Sequence, residues 1–599
     1  MTLPPVPALL PPWLAGYRRA DLTGDVTAGL ITAIILVPQA MAYALLAGLP
    51  PEVGLYASVA PLVLYALIGT SRTLAVGPVA IASIMTASAI GTLGLATVAE
   101  TMTAALALAA MVGGILILLG LARAGFLVNF LSHPVLAGFT SAAAVTIAIG
   151  QVKTLAGIEV PRSHTLVDGV PALVAALPGF DGPSLILGLG TIALLLLASG
   201  PLVRGLTRAG VPAGAAAAIG RAGPLATVVL GILAVRAFDL DARGVTVVGE
   251  IPAGLPGLVA LPTDPELYRA LLPSAVLIAL IGYMESVSVA KALASKRRQK
   301  IDANRELLAL GAANMGSAVT GGYPVAGGFG RSLVNFSAGA NTQAAALITA
   351  ALMVLAVSFL APAFHDLPRS VLAANIIVAV VKLIDLQTVV ASTRASRSDT
   401  LAMAVTFLAV LGLGVEAGLL IGILGSMMLF LWRTSRPHTA VLGRVPGTEH
   451  FRNIKRHSVE TDPRVLILRF DESPFFANAA WLEDRIMQAV ADRPRVRHVV
   501  LVCSAMNFID MSALETLEAL SRNLREAGVT LHLAEVKGPV MDRLERTAFL
   551  RHMAPGRVFL STHAAACALA EEAEGPAPPS DAAEPAGAAP SGGPAEARS

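Results

Sequence analysis

The chain has 599 residues, 55% hydrophobic and only 14% charged, with a net charge of +3 and a mean hydropathy of +0.71. Soluble domains carry about 25% charged residues, so most of this chain is built for lipid rather than water. Cys503 and Cys567 are the only cysteines; they exclude a disulfide framework, and neither a metal-ligand set nor a nucleophile–base set suggests an enzyme.

Residues 1–25 form a Pro-rich cytoplasmic lead whose Arg18, Arg19 and Asp25 make it too polar for a signal peptide. A transmembrane domain follows over 26–432. Its apolar runs centre on 26–48, 52–69, 77–95, 101–121, 132–150, 183–200 and 222–237. A second set lies at 271–290, 305–320, 328–338, 343–360, 371–382, 398–413 and 416–432. Fourteen segments divide into repeats over about 26–237 and 271–432, and an odd number per repeat inverts one against the other. Several runs fall short of the roughly 20 residues that a spanning helix needs. Basic residues at Arg18/Arg19, Arg72, Arg123, Arg204/Arg208, Lys296–Lys300, Arg394/Arg397 and Arg433/Arg436 fall on one side of this topology. The positive-inside rule makes that side cytoplasmic, with both termini.

The third and tenth runs are broken, at Gly77-Pro78-Val79-Ala80 and Gly327-Gly328-Phe329-Gly330-Arg331. Within a bilayer, irregular backbone is tolerated only where it is buried in protein or lines a cavity. Breaks at matching places in two halves point to a transporter's binding site. Helices starting there, near Val79-Ala80 and Phe329-Gly330-Arg331, present free N–H groups and positive dipole ends, which suit an anion. Arg331 in the first turn would add to that field, or balance a carboxylate. Glu285 is that carboxylate, in an apolar helix where it costs roughly 2.5 kcal/mol or more on insertion. It is the candidate to take a proton with the anion; Ser286 and Ser288 are the candidates should sodium be used instead. Gln39 and Tyr43, four residues apart, share one helix face. Asp302 should cap the next helix, with Asn304 and Glu306 holding that turn.

After Trp432 the texture changes to a soluble unit over 440–570. Strands at 465–470, 498–503 and 530–536 alternate with helices around 481–490, 513–526 and 540–547, implying a small α/β unit with a largely parallel sheet. Asp510 should cap the second helix and Gly528 serve the turn after it. Residues 571–599, rich in Pro, Ala, Gly, Ser and Glu, read as a disordered tail.

The run Val37-Pro38-Gln39-Ala40-Met41-Ala42-Tyr43-Ala44, then Ala47-Gly48-Leu49-Pro50-Pro51 and Gly54-Leu55-Tyr56-Ala57, resembles the opening signature of the SulP (sulfate permease) family. Thr70-Ser71-Arg72, Asp302-Ala303-Asn304-Arg305-Glu306-Leu307, Gly311-Ala312-Ala313-Asn314 and Arg331-Ser332-Leu333-Val334-Asn335 fit it too. The carboxy-terminal unit is similar to a STAS domain, and the resemblance spans about 12–570. It implies that the Gln39/Tyr43 face lies beside the anion, with Tyr43 where many relatives have Phe. It also implies that an acid at Glu285 couples to protons or sodium, that a basic residue at Arg331 serves the site, and that the chain is a homodimer whose STAS domains meet near the two-fold axis. Where regulatory STAS relatives carry a phosphorylated Ser or Thr, this chain has Met511, which favours a scaffold over a phospho-switch.

The expectation is therefore a multi-pass α-helical membrane protein in which a core moves against a gate, as a secondary transporter of a small anion. Sulfate comes first, bicarbonate or a dicarboxylate next, by proton symport, with sodium symport or exchange as alternatives. No organic cofactor or nucleic acid is expected; the bilayer and a cytoplasmic partner of the STAS unit are. A nucleobase carrier would want a carboxylate where Arg331 stands. A non-transporting sensor signalling through the STAS unit is the rival class, and the missing phosphate acceptor counts against it.

Overall fold

The computed structural model describes residues 11–573, apart from 12, 15, 130–131, 161–164, 251, 253 and 255–256. It comprises two compact units, one ending at Met427 and one beginning at Met428. In chain order the first half of the membrane unit runs α1 (Arg19–Leu46), α2 (Pro51–Tyr56), α3 (Ala60–Ile68), β1 (Val76–Gly77), α4 (Ala80–Gly91), α5 (Val98–Leu121) and α6 (His133–Ala156). It continues with α7 (Leu166–Ala176), α8 (Gly182–Ser199), α9 (Pro201–Arg208), α10 (Ala213–Arg221) and α11 (Gly223–Phe238). The second half runs α12 (Pro265–Lys296), α13 (Ala303–Val319), β2 (Ala326–Gly327), α14 (Phe329–Ser337), α15 (Ala344–Leu355), α16 (Arg369–Val381), α17 (Leu386–Ala395), α18 (Arg397–Leu413) and α19 (Val415–Ser435).

Each of the fourteen expected runs falls on helix. Among the described residues, nine helical stretches are long and apolar enough to cross a membrane. Connections are where the expectation needs correcting. The lead does not stay outside the first span, because α1 starts at Arg19; there the buried Asp25 accepts hydrogen bonds from the amides of Asn341 and Thr342 and the Thr342 hydroxyl. The stretch before residue 183, expected as loop, contains α7. Asn304 and Glu306 do not serve their own turn either. Asn304 Oδ1 accepts from the Gly125 amide at 2.9 Å. The buried Glu306 accepts from the Tyr65 hydroxyl at 2.7 Å and from the Thr70 amide and hydroxyl at 2.7 and 2.6 Å, clamping α3 and its exit to α13. Asp302 caps α13 as expected, accepting from the Asn304 and Arg305 amides.

Small residues let these helices approach closely in a medium that offers little hydrophobic drive between them. A Cβ on Gly113 of α5 would stand 2.9 Å from the Gly311 carbonyl oxygen of α13, and one on Gly311 would stand 2.9 Å from that of Gly113. A Cβ on Gly54 would run into the Ala40 carbonyl oxygen of α1. That is backbone, which cannot swing away. Gly54→Ala should therefore destabilise the membrane unit by roughly 1–3 kcal/mol, the usual cost of overpacking, and unfold at lower temperature in detergent. An unshifted melting curve would show that α2 can slide off α1 freely.

The carboxy-terminal unit holds β3 (Thr439–Arg444), β4 (Phe451–Asn453), β5 (Val465–Phe470), α20 (Ala479–Ala491), β6 (His498–Val502), α21 (Met511–Glu526) and β7 (Thr530–Ala534). After these come α22 (Gly538–Glu545), α23 (Phe549–His552), β8 (Val558–Phe559) and α24 (Thr562–Ala573). Sheet order is β4-β3-β5-β6-β7-β8, parallel from β5 to β8 and antiparallel at β3 and β4. Alternation puts Leu466, Leu468 and Phe470 in the core with α20 and α21, and Val465 and Ile467 in a second cluster with Ala565 and Leu569 of α24. Asp510 caps α21 by accepting from the Ala513 amide, and Gly528 adopts φ +72° after it. The expected tail at 571–599 is corrected at its start, since Glu571–Ala573 close α24; 574–599 lie outside the described residues.

Candidate functional site

The two broken runs meet. Val76 and Gly77 pair antiparallel with Gly327 and Ala326, so β1 and β2 form a two-stranded ribbon from which α4 and α14 depart. Gly77 permits its φ of +157°, and further bonds lock the crossing: the Gly328 amide donates to the Ala75 carbonyl at 3.0 Å, and the Ala75 amide to Ser332 Oγ at 2.9 Å. The Gly327 amide donates to Ser286 Oγ at 2.7 Å, which ties α12 to the same ribbon. Ser286 thus holds backbone, and Ser288 is exposed on another face. The first intrahelical bonds are Ser83 to Val79 and Ser332 to Gly328. Ahead of them lie the first-turn amides of each helix, and Val79 and Gly328 have no side-chain acceptor to cap them.

All eight residues expected at the site line one cavity of about 550 Å³: Gln39 and Tyr43 from α1, Val79 and Ala80 at the start of α4, Glu285 from α12, and Phe329, Gly330 and Arg331 at the start of α14. Pro38 sits inside α1 beside Gln39 and leaves the helix one amide donor short there. Arg331 is 4% exposed. Its Nη1 donates to the Pro78 carbonyl at 2.6 Å, while its Nε and Nη2 have no partner. Glu285 Oε2 and Gln39 Oε1 are likewise buried and unpartnered. Buried polar atoms are paired in the great majority of cases, so three unsatisfied side chains around one cavity mark a place that a polar ligand completes. Arg331 is not spent on Glu285: among the described residues no ion pair joins them, and the guanidinium is anchored to the opposite broken run instead.

Sequence reasoning missed the facing wall. Leu195 and Ala198 of α8, Arg221 of α10, Asn375, Ile376 and Ala379 of α16, and Lys382 just beyond it complete the cavity. Apart from Asn375, a polar residue within α16, these runs are apolar with small residues, and little in their pattern sets a lining position apart from a lipid-facing one. Asn375 and the two cations, Arg221 and Lys382, carried a readable sign.

The profile described as "Sulfate permease family" matches residues 22–406, and that of the STAS domain matches 456–565. The chain is 34% identical over 565 residues to a chloroplast sulfate transporter of Arabidopsis thaliana, covering 92% of this chain and 81% of the relative. It is 34% identical over 547 residues to a probable sulfate transporter of Mycobacterium tuberculosis, with 91% and 95% covered. Among solved structures, the inward-facing murine Solute Carrier 26 family member A9 anion transporter superposes with a TM-score of 0.85 at 25% identity, covering 94% of both chains. The transmembrane domain of the cyanobacterial bicarbonate transporter BicA shares the fold with a TM-score of 0.56 over 68% of this chain and 98% of that one, at 22% identity.

Proposed function

The chain belongs to the sulfate permease family of membrane transporters, and on that premise we propose that it carries sulfate by proton symport through the cavity between α4 and α14. The family's members are transporters, not enzymes, and anion transport is the common ground of the relatives. The observation that carries the reading is the convergence of two uncapped helix starts on a buried guanidinium with free donors. Both helix ends are positive. A cation is disfavoured beside them, and the arrangement is compensated when an anion enters.

The ribbon, α12 and α1 hold the anion side as one body, the mobile core; α8, α10 and α16 form the gate it moves against. Glu285, beside the anion with a free oxygen, takes the coupled proton. The basic loops put the Lys382 end of the cavity at the cytoplasm of a bacterial-type inner membrane, in a homodimer with the STAS unit as scaffold. Two sulfate transporters among the relatives support sulfate first, with bicarbonate or a dicarboxylate as the competing substrates.

The test is uptake of labelled sulfate, bicarbonate and fumarate into proteoliposomes at neutral and acid external pH, with and without sodium. Saturable sulfate uptake, faster at acid pH and indifferent to sodium, is the expected result. Uptake that needs sodium would move the coupling to a cation site; uptake that needs an internal anion would make the protein an exchanger.

A further inference from the structure

A second cavity, of about 400 Å³, lies further along the same helices. On α1 the wall of the first cavity runs from Ile35 to Tyr43, and the wall of the second starts at Leu45. On α4 the first ends at Ile81 and the second begins at Ile84. On α16, which runs the other way, Arg369 and Leu372 line the second, and Asn375, Val378 and Ala379 line the first. At 1.5 Å of rise per residue, the barrier between them is about 3–5 Å thick along α1 and α4. Ile376 lines both cavities and is 2% exposed. It belongs to the buried cluster of Tyr43 and Ile147, against which Leu46 and Ile84 pack. On α4 the residues between the two linings are Ala82 and Ser83, and the Ser83 hydroxyl is already bonded to the Val79 carbonyl and the Tyr323 hydroxyl; the cluster around Ile376 is otherwise apolar apart from the Tyr43 hydroxyl.

Beyond the barrier the lining turns polar again. Thr101, Gln151, Lys153 and Arg369 line the second cavity, a surface that suits a hydrated anion. An anion stripped of water inside an apolar constriction pays a desolvation cost that nothing there offsets, and narrow apolar constrictions gate by excluding water.

We infer that the second cavity is the opposite mouth of the anion path and that Ile376 is the seal closing it from the binding cavity. This rests on the transport reading above and adds to it where access is blocked. It also explains why α16, with no charge between Arg369 and Lys382, carries a basic residue at each end: each cation stands at one mouth.

The experiment measures access and flux in the full chain. In a Cys567→Ser background, Cys503 being buried, Ala379→Cys reports the binding cavity and Arg369→Cys the second one. A membrane-impermeant sulfonated thiol reagent is applied to the side from which Arg369→Cys reacts. With Ile376 intact, Ala379→Cys should react slowly from that side. Adding Ile376→Ala should speed it by about tenfold or more, and Ile376→Leu should restore the slow rate. In proteoliposomes Ile376→Ala should pass labelled sulfate downhill several-fold faster and lose accumulation against a gradient. If Ile376→Ala does not fold, Ile376→Val should give a smaller change in the same direction. Labelling of Ala379→Cys that ignores residue 376, or that is already fast with Ile376 present, would overturn the seal. Failure of the transport reading is distinguishable, because it appears as absent sulfate uptake in the unmodified protein while the labelling still reports the barrier.

Discussion

Arg331→Gln should raise the half-saturation concentration for the transported anion by at least about tenfold, a loss of roughly 1.4 kcal/mol or more. The guanidinium is buried and keeps two donors unpartnered, and hydrogen bonds to charged groups are worth about 1.5–3 kcal/mol each. Truncating one partner of a buried charged pair costs about 2–5 kcal/mol, which sets the upper range. Lysine should rescue only in part. It keeps the charge but lacks the planar fork that lets one nitrogen hold the Pro78 carbonyl while the others face the cavity.

A stability measurement separates binding from folding. Arg331 stands in the first turn of α14, where a cation opposes the helix dipole by about 0.3–1 kcal/mol. The variant loses the bond to the Pro78 carbonyl but also the burial of an unpaired charge, so without anion it should melt close to the parent. The stabilisation that added sulfate confers on the parent through binding to the folded state should vanish in the variant. Unchanged half-saturation, with the sulfate-induced shift intact, would remove Arg331 from the site.

Glu285→Gln should erase the pH dependence of uptake while leaving anion binding measurable. An ionised carboxylate on the cavity wall repels an entering anion, and protonation removes that repulsion. In the parent, affinity should therefore rise as pH falls; by reciprocity, the bound anion favours proton uptake to the same degree. Glutamine has nearly the shape of the protonated acid. Its half-saturation should stay at the parent's acid-limit value at every pH, and an imposed proton gradient should no longer drive accumulation. Exchange of labelled for unlabelled anion, which needs no net proton, should persist. A variant with the parent's pH slope would place the coupled proton elsewhere.

How much of this site was legible beforehand follows from how each part is encoded. The broken runs were, because Gly-Pro and Gly-Gly interrupt apolar sequence at two matching places and local backbone chemistry leaves few uses for that in lipid. Glu285 and Arg331 were, because a charge in an apolar run is rare enough to stand out by itself. The structural role of Ser286 was not legible, since its bond to the Gly327 amide joins positions 41 apart. Glu306 was misread as a turn residue because its partners Tyr65 and Thr70 lie 241 and 236 positions away. In the carboxy-terminal unit the inner strands β5, β6 and β7 showed as dense apolar runs, whereas β3, β4 and the two-residue β8 exist only by pairing to an edge already formed.

Composition and local pattern alone thus determined that the chain crosses a bilayer, where its segments lie, where two of them break, and which charged side chains are stranded among apolar ones. These are properties of single stretches, decided by transfer free energy and backbone donors. Tertiary packing decided which stretches face each other: the ribbon that sets α4 against α14, the anchoring of Arg331 on Pro78 rather than Glu285, the wall supplied by α8, α10 and α16, and the place of Ile376 between two cavities. In lipid, Ala-, Leu- and Gly-rich helices look alike from every side, so only close approach of their backbones distinguishes a lining face from a lipid-facing one.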